Sequence, residues 1–369
     1  MASTDTRTTA REHELLGAAK AGDEDAFARL LVPYRGELHA HCYRMLGSVH
    51  DAEDALQEAS LRAWRGLARF EERSSLRSWL YTIATNTCLN QIARRPKRVL
   101  PIDYGPATDP SEGLAMPVSE TVWVEPYPDE TLGVEDGLAA PEARFERRES
   151  LELAFVAALQ LLPPAQRAAL ILREVLGYSA KEVAATLETT VASVNSALQR
   201  ARKTIDDKLP ERSQQETLRA IGDERLTEIV EAYMDALARG DVPRVVSLLA
   251  EDAAWSMPPL PSWFRGTDGI TGFLRFGPLS GAWRWKHRAA RVNGQAAVGV
   301  YQWDEAEGAY LPFAFDVLTF EGDRIKQVTA FITRSVEGTD KDFYSNWPAQ
   351  PLARSEFIFE RFGLPARLD

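Results

Sequence analysis

The chain has 369 residues, 45% hydrophobic and 26% charged, an ordinary balance for globular protein and enough for two or three domains. No stretch approaches the roughly 20 uninterrupted apolar residues of a membrane span, the polar start from Met1 to Ala10 reads as a disordered tail rather than a secretion signal, and two cysteines, Cys42 and Cys88, make no disulfide framework, so a cytoplasmic location is expected. The net charge of −11 argues against nucleic acid, yet Arg29 to Arg98 holds 12 Arg/Lys against 7 Asp/Glu while Pro101 to Ser150 holds 3 against 12, the signature of a basic module beside an acidic tether.

Residues 12–98 read as helical, with sparse glycine and apolar residues at helical spacing. Ser48-x-x-Asp51 is a variant capping box. The helix after it carries Ala52, Leu56, Ala59, Ala63 and Leu67 on an apolar stripe and shows Glu53, Asp54, Gln57 and Glu58 on its other face. Such an acidic face is either solvated or docked on a basic partner. The next segment, Phe70 to Arg95, places Leu76, Trp79, Leu80 and Ile83 in the core. Arg77, Tyr81, Asn86 and Asn90 look outward, with Arg94, Arg95, Lys97 and Arg98 at the end. Basic residues interleaved with an aromatic suit single-stranded DNA, because charge tracks phosphates and the ring stacks on a base. The alternative is a helix C-terminus favoured by cations. His39-x-His41-Cys42 makes no metal site, since positions two apart do not share a helix face. No metal or cofactor is expected.

Residues 99–141 contain Pro101, Pro106, Pro110, Pro117, Pro126, Pro128 and Pro141 and most of the acid. They read as a linker with limited regular structure.

Helical periodicity returns over 142–210. Pro163 and Pro164 sit at a helix start, a first helix runs from Ala165 to Val175, and Gly177 stops it. Ser179-x-x-Glu182 is a capping box opening Ala180 to Leu187. Glu188 occupies a turn where glycine is common. The last helix puts Val194, Leu198, Ala201 and Ile205 on one face and Ser193, Asn195, Ser196, Gln199, Arg200 and Lys203 on the other. This is a helix-turn-helix pattern, whose last helix lies in the major groove. Arg reads guanine and Asn or Gln reads adenine, while Arg202 and Lys203 suit phosphate. A plain helical hairpin with a basic solvated face is the alternative.

Pro210 to Gln215 is a polar boundary. Residues 226–336 open with an amphipathic helix and then show strand-like runs at Ala296 to Trp303, Phe313 to Phe320 and Ile325 to Thr333, an α+β pattern. Residues 337–369 form a C-terminal tail.

Together these segments resemble the extracytoplasmic-function group of the sigma-70 superfamily. Asp51-Ala-Glu-Asp-Ala-Leu-Gln-Glu-Ala-Ser-Leu-Arg-Ala-Trp64 looks like the region-two helix that grips the β′ clamp helices of RNA polymerase. Phe70 to Arg95 looks like the part that melts the promoter and captures the minus-ten element. Leu162-Pro-Pro-Ala-Gln-Arg167 through Arg202 looks like region four, which reads the minus-35 element. The resemblance implies two all-α modules, residues 12–98 and 142–210. Their partners would be core RNA polymerase, through the β′ clamp helices and the β flap, and promoter DNA, with no membrane. Core contact falls to Glu53, Asp54, Gln57 and Glu58. Minus-ten contact falls to Phe70, Arg77, Tyr81, Asn86, Arg94 and Arg95. Minus-35 contact falls to Ser193, Asn195, Ser196, Gln199, Arg200 and Lys203.

The C-terminal part is similar to the SnoaL-like, NTF2-like fold, a cone of curved sheet and helices around a pocket. Leu226 to Gly240 would be its opening helix, Ala253 to Met257 its first strand and Phe264-Arg-Gly-Thr-Asp-Gly-Ile270 its next helix start. Trp255, Met257, Trp263, Phe264, Trp283, Trp285, Trp303 and Phe315 are candidates for an apolar pocket that a small-molecule ligand would fill, and Asp316 and His287 are candidates for the proton-moving pair that the cyclases and isomerases of this fold use. A subgroup of these sigma factors carries such an extension, and Trp123-Val-Glu-Pro-Tyr-Pro-Asp129 resembles that subgroup too. The resemblance implies regulation in cis, with the C-terminal domain and acidic linker holding the two DNA-binding modules in a fixed relation. The competing readings are an isomerase- or cyclase-like enzyme fused to a DNA-binding module, and a one-component repressor. A repressor needs neither an acidic docking face nor a melting segment.

Overall fold

The computed structural model describes residues 3–118, 122–129, 149–334 and 352–369, with side chains from Arg11 onward. The first part of the chain forms α1 (Ser3–Lys20), α2 (Glu24–Leu46), α3 (Val49–Gly66) and α4 (Leu76–Ile92). The short α5 (Pro101–Tyr104) lies in the acidic stretch, followed by α6 (Leu153–Leu161), α7 (Pro164–Leu170), α8 (Ala180–Thr186) and α9 (Val191–Asp206). The remainder holds α10 (Gln214–Ile221), α11 (Asp223–Arg239), α12 (Val242–Ser247), strands β1 (Leu249–Ser256) and β2 (Trp263–Arg265), and α13 (Gly266–Phe276). Then come β3 (Trp285–Val292), β4 (Gln295–Asp304), β5 (Ala309–Glu321), β6 (Arg324–Ile332) and α14 (Leu352–Arg361).

These elements fall into two compact units. Residues 3–95 and 162–204 form one; the described parts of 96–161 and residues from 205 onward form the other.

In the first unit, side-chain caps set the helix starts. Asp23 accepts from the Ala26 amide at 2.9 Å, and Ser48 from the Asp51 amide at 3.1 Å. Gly47 ends α2 in the left-handed conformation with φ 69°. The apolar stripe Ala52, Leu56, Ala59, Ala63 and Leu67 is buried as its spacing requires. The helix α1 reaches back to Ser3, where the sequence reads as a tail. No glycine or proline stands between Ser3 and Leu16 to stop it. Beyond α7 a π-helical turn, Ile171–Val175, leads to Gly177 at φ 72°. Ser179 and Glu182 make both bonds of the capping box at the start of α8. Glu188 takes a left-handed φ of 49° in the turn before α9, the conformation for which glycine is the usual residue.

The second unit is built on a sheet of order β2-β1-β6-β5-β4-β3, in which β1 pairs parallel with β6 and every other neighbour is antiparallel. Alternation along the strands sends side chains to opposite faces. Val298, Val300 and Ala314 join the core that includes Tyr233 and Ala236 of α11, Val245 of α12 and Phe273 of α13. On the opposite face Phe315 meets Phe359 of α14, ring centroids 4.2 Å apart, and the Tyr301 hydroxyl donates to the Pro365 carbonyl at 2.8 Å. Gly299 is needed there, because a Cβ would lie 2.6 Å from a Leu364 methyl. The stretch 352–369, which sequence treats as tail, is thus part of the fold.

Two stretches make contacts that composition does not reveal. The acidic linker has little regular structure, as its prolines dictate, but its described residues are fixed to the sheet unit. The Thr108 amide donates to the Trp263 carbonyl at 2.7 Å and the Ala115 amide to Ser262 Oγ at 2.8 Å. Trp263 Nε1 donates back to the Gly105 carbonyl at 2.9 Å. The second is the polar boundary at 210–215. Glu152 accepts from the amides of Gln214 and Gln215 at 2.9 and 2.8 Å, and the Gln214 side chain bonds both backbone groups of Phe320. Ser213 and Glu216 complete a second capping box that starts α10. Polar residues here satisfy buried backbone groups rather than mark a loose joint.

Candidate polymerase, promoter and ligand surfaces

On α3, Asp54 and Gln57 are exposed and Glu53 and Glu58 half-buried, so the acidic face stands on the opposite side from the apolar stripe. Glu58 pairs with Arg62 at 2.7 Å within the helix. At the base of α3, Asp51 is buried and ion-paired to Arg95, which ties the basic end of the next segment to this helix.

The candidate minus-ten residues are dispersed by their environments. Phe70 is buried, stacked on Trp79 with centroids 4.8 Å apart. Arg77 is half-buried; it forms a bidentate pair with Glu37 at 2.7–3.1 Å and lies 4.7 Å over the Tyr81 ring. Tyr81, expected to look outward, is fully buried. His41 covers it on one side at 5.1 Å, and Tyr178, from the turn after α7, meets it edge-on at 6.0 Å. Close by, the hydroxyls of Thr82 and Thr186 lie 3.2 Å apart. The buried guanidinium of Arg167 donates to the carbonyls of Met45 and Leu162. Tyr81 is inside because the second helical module packs on α4 in this unit. Asn86 is half-buried, while Arg94 and Arg95 are exposed. Arg98, also expected outside, is buried in the sheet unit, where it donates to the Trp123 carbonyl at 2.6 Å.

The helix-turn-helix has the geometry its pattern implies. Val194, Leu198, Ala201 and Ile205 are buried, and Ser193, Asn195, Ser196, Gln199, Arg200 and Lys203 are all exposed along α9. Arg202 is held by Glu174 at 2.6 Å. The Thr190 hydroxyl accepts from the Ser193 amide at 3.1 Å, which fixes the start of α9, the end that approaches bases in this motif.

The sheet unit encloses a cavity of about 110 Å³. Two cross-strand rows contribute to its floor: His287, Val300, Ala314 and Ile332, and beside them Asp316 and Ala330. Trp255, Met257, Trp283, Trp285, His287 and Asp316 line it, as sequence expects of a pocket. Trp263 and Trp303 lie elsewhere: Trp263 binds the linker, and Trp303 meets Tyr310 edge-on at 5.0 Å beneath the Arg284 guanidinium. Phe264 is buried against Phe273, and Phe315 faces α14. Two participants are not signalled by the sequence. The Tyr233 hydroxyl donates to Asp316 Oδ2 at 2.8 Å, and Leu114 of the linker contributes to the wall. Tyr233 reads as one more residue of an apolar helical stripe, and Leu114 as an isolated apolar residue in an acidic stretch.

Burial pushes the Asp316 carboxyl up to about 7, with the Tyr233 hydrogen bond acting the other way. Burial lowers His287 to about 4, and its Nδ1 is buried with no hydrogen-bond partner. Near neutral pH the imidazole is uncharged, and among the described residues no lysine or arginine lines the cavity.

Comparison with known proteins places each region. Residues 30–98 match Sigma-70 region 2, residues 152–205 match Sigma-70 region 4, and residues 230–328 match the SnoaL-like domain. The ECF RNA polymerase sigma factor SigG of Mycobacterium tuberculosis is 42% identical over 302 residues, which cover 81% of this chain and 79% of that one. The chain belongs to the ECF sigma factors. SigW of Bacillus subtilis is 32% identical to this sigma factor over 192 residues, 52% of this chain and 92% of SigW. The crystal structure of the extracytoplasmic function sigma factor SigJ of Mycobacterium tuberculosis covers 85% of this chain and 96% of its own with a TM-score of 0.51 at 24% identity, which shows a shared fold. Among the described residues of the sigma factor no helix is long and apolar enough to cross a membrane, and no cluster of His, Cys, Asp or Glu has the makings of a metal site.

Proposed function

We propose that this sigma factor docks on core RNA polymerase through Glu53, Asp54, Gln57 and Glu58 and directs promoter-specific initiation. Ser193, Asn195, Ser196, Gln199, Arg200 and Lys203 read the minus-35 element from the major groove. Phe70, Arg77, Tyr81, Asn86, Arg94 and Arg95 take the minus-ten element. The C-terminal domain regulates this in cis and is not a catalyst. Asp316 is engaged by Tyr233, and His287 stands two strands away from it. At about 4.8 Å per strand and a two-residue offset of about 7 Å, their Cα atoms are on the order of 12 Å apart, which separates an acid from its base.

One observation carries the regulatory part. Three stretches of the sigma chain converge on a single hairpin turn between β3 and β4. Asn293 accepts from the Tyr127 amide at 2.8 Å and donates to the Leu151 carbonyl at 2.7 Å. The Gly294 amide donates to Asp129 at 2.7 Å, and its carbonyl accepts from the Gln215 side chain at 2.6 Å. Gln295 accepts from the Leu153 amide at 2.8 Å. The chain on either side of the second helical module is therefore held by the C-terminal sheet. Because Tyr81 is shielded by Tyr178 here, minus-ten capture requires the two helical modules to part. A domain that grips the connecting chain is placed to govern that step.

Run-off transcription with purified core polymerase on host genome fragments tests the assignment. Transcripts that core enzyme alone does not make are expected from the wild type. The double variant Asp54→Lys, Glu58→Lys should keep its helical spectrum and fail to co-elute with core enzyme in gel filtration. Normal co-elution of that variant would refute the docking face.

A further inference from the structure

We propose that the cavity in the sheet unit binds an uncharged, mainly apolar molecule of one or two rings bearing a hydroxyl or carbonyl oxygen, and that Leu114 of the linker is the wall through which its occupancy is felt. Four observations point to that chemistry. The walls include the rings of Trp255, Phe273, Trp285 and Phe313, which favour a flat apolar body. The volume of about 110 Å³ is of the order of the ~150 Å³ apolar cavity known to take benzene, so one ring fits with Leu114 in place. His287 lines the cavity, and its buried Nδ1 has no partner among the described residues, an unfavourable state that a hydrogen bond relieves. It accepts from a hydroxyl in one tautomer or donates to a carbonyl in the other. Finally, the lining holds no cation, and Asp316 would repel an anion once ionised, which excludes carboxylates and phosphates.

Leu114 differs from the rest of the wall. The other residues come from the sheet unit's own strands, helices and the loops between them, whereas Leu114 stands in the irregular chain of the linker. The Ala115 amide bond to Ser262 and the Val118 amide bond to the Pro259 carbonyl hold that chain beside the cavity. Strand pairing fixes the floor, so a molecule larger than one ring must shift residues outside the strands, Leu114 among them, or extend through the pocket's open side. This segment joins the two sigma modules, so the consequence for transcription rests on the regulatory reading above, whereas the binding itself does not.

Titration calorimetry of the full chain at pH 7.5 with 4-ethylphenol, 2-naphthol and 4-ethylbenzoate tests the chemistry. Either neutral compound should bind saturably and quench tryptophan emission, with 4-ethylbenzoate at least tenfold weaker. Filling the cavity by Ala314→Phe should abolish binding. Leu114→Trp fills it from the linker side and gives a second variant should the first misfold. Equal affinity for the anion, retained binding in both filled variants, or no binding by either neutral compound would overturn the site. In parallel, 2-naphthol should change run-off transcription at least threefold in the wild type and not in Leu114→Trp. Binding without that change would overturn the role of Leu114 while leaving the site. Wild-type protein that gives no transcripts at all, yet binds 2-naphthol, would count against the sigma-factor reading instead.

Discussion

Two carboxyl groups in the sheet unit carry a measurable pH signature. Burial pushes Asp316 up to about 7 and Glu152 also up to about 7, the latter against hydrogen bonds from the Gln214 and Gln215 amides. An unfolded carboxyl titrates near 4, so the folded chain holds both protons more tightly. Their contribution to stability is full below about pH 4 and is lost as pH rises through about 7. Buried His41 and His287 act with the opposite sign, since burial lowers them to about 3 and about 4. Their contribution is present above about pH 6.5 and lost as pH falls. Comparison with Asp316→Asn cancels the histidine effect. The melting temperature of the variant, measured against wild type from pH 4 to pH 8, should gain on it as pH rises and level off above about 7. A difference independent of pH would show that Asp316 is already ionised in the folded chain. Asp316 and His287 were legible in sequence as polar residues among aromatics. Tyr233 was not, because a hydrophobic stripe records which face is buried and not where a hydroxyl ends.

At the scale of elements, α9 offers the sharpest test. Arg200 and Lys203 are both exposed on its polar face, yet they should fail differently. An arginine that reads a base contributes about 1–3 kcal/mol and sets preference at one position, whereas a lysine on phosphate contributes equally to all sequences. Arg200→Ala should therefore weaken binding of the polymerase complex to its own promoter and relax the choice at one base of the minus-35 element. Lys203→Ala should weaken all sites alike and lower the salt dependence by about one charge. Identical, sequence-independent losses from the two substitutions would remove Arg200 from direct readout. This helix was readable because four apolar positions fall on one face and a capping box precedes its partner. The hairpin at Asn293-Gly294 was missed although its signal was present. Asn-Gly between strands favours a two-residue turn, and both residues take positive φ, 56° and 71°. Tyr81 shows the opposite failure. Its position on α4 fits an exposed face, and packing by His41 of α2 and by Tyr178, about a hundred residues later, covers it. No local pattern contains that information.

For the molecule as a whole, the question is what the C-terminal domain holds and whether holding it matters. The linker's composition points to irregular chain, and the structure adds that this chain is bonded to the sheet unit. Proline and acid prevent helices and strands, but amides along such a chain still need acceptors when buried. Here the sheet unit supplies them at Trp263, Ser262, Pro259 and Asn293. Asn293 is the residue at which this can be tested without damage to the fold. Its side chain joins the linker at Tyr127 to the start of the second module at Leu151. Asn293→Gly keeps the left-handed turn, which glycine adopts freely, and removes both of those side-chain bonds. Each contributes about 1 kcal/mol net, so the chain around 127–129 should open several-fold more often. Limited proteolysis should then cut the linker faster than in wild type, with the melting temperature lowered by only a few degrees. Run-off transcription by the same variant should differ from wild type on the same promoter, and the sign of the change tells whether the grip restrains or supports initiation. A variant cut faster yet transcribing as wild type would mean that the C-terminal domain anchors the chain without regulating it.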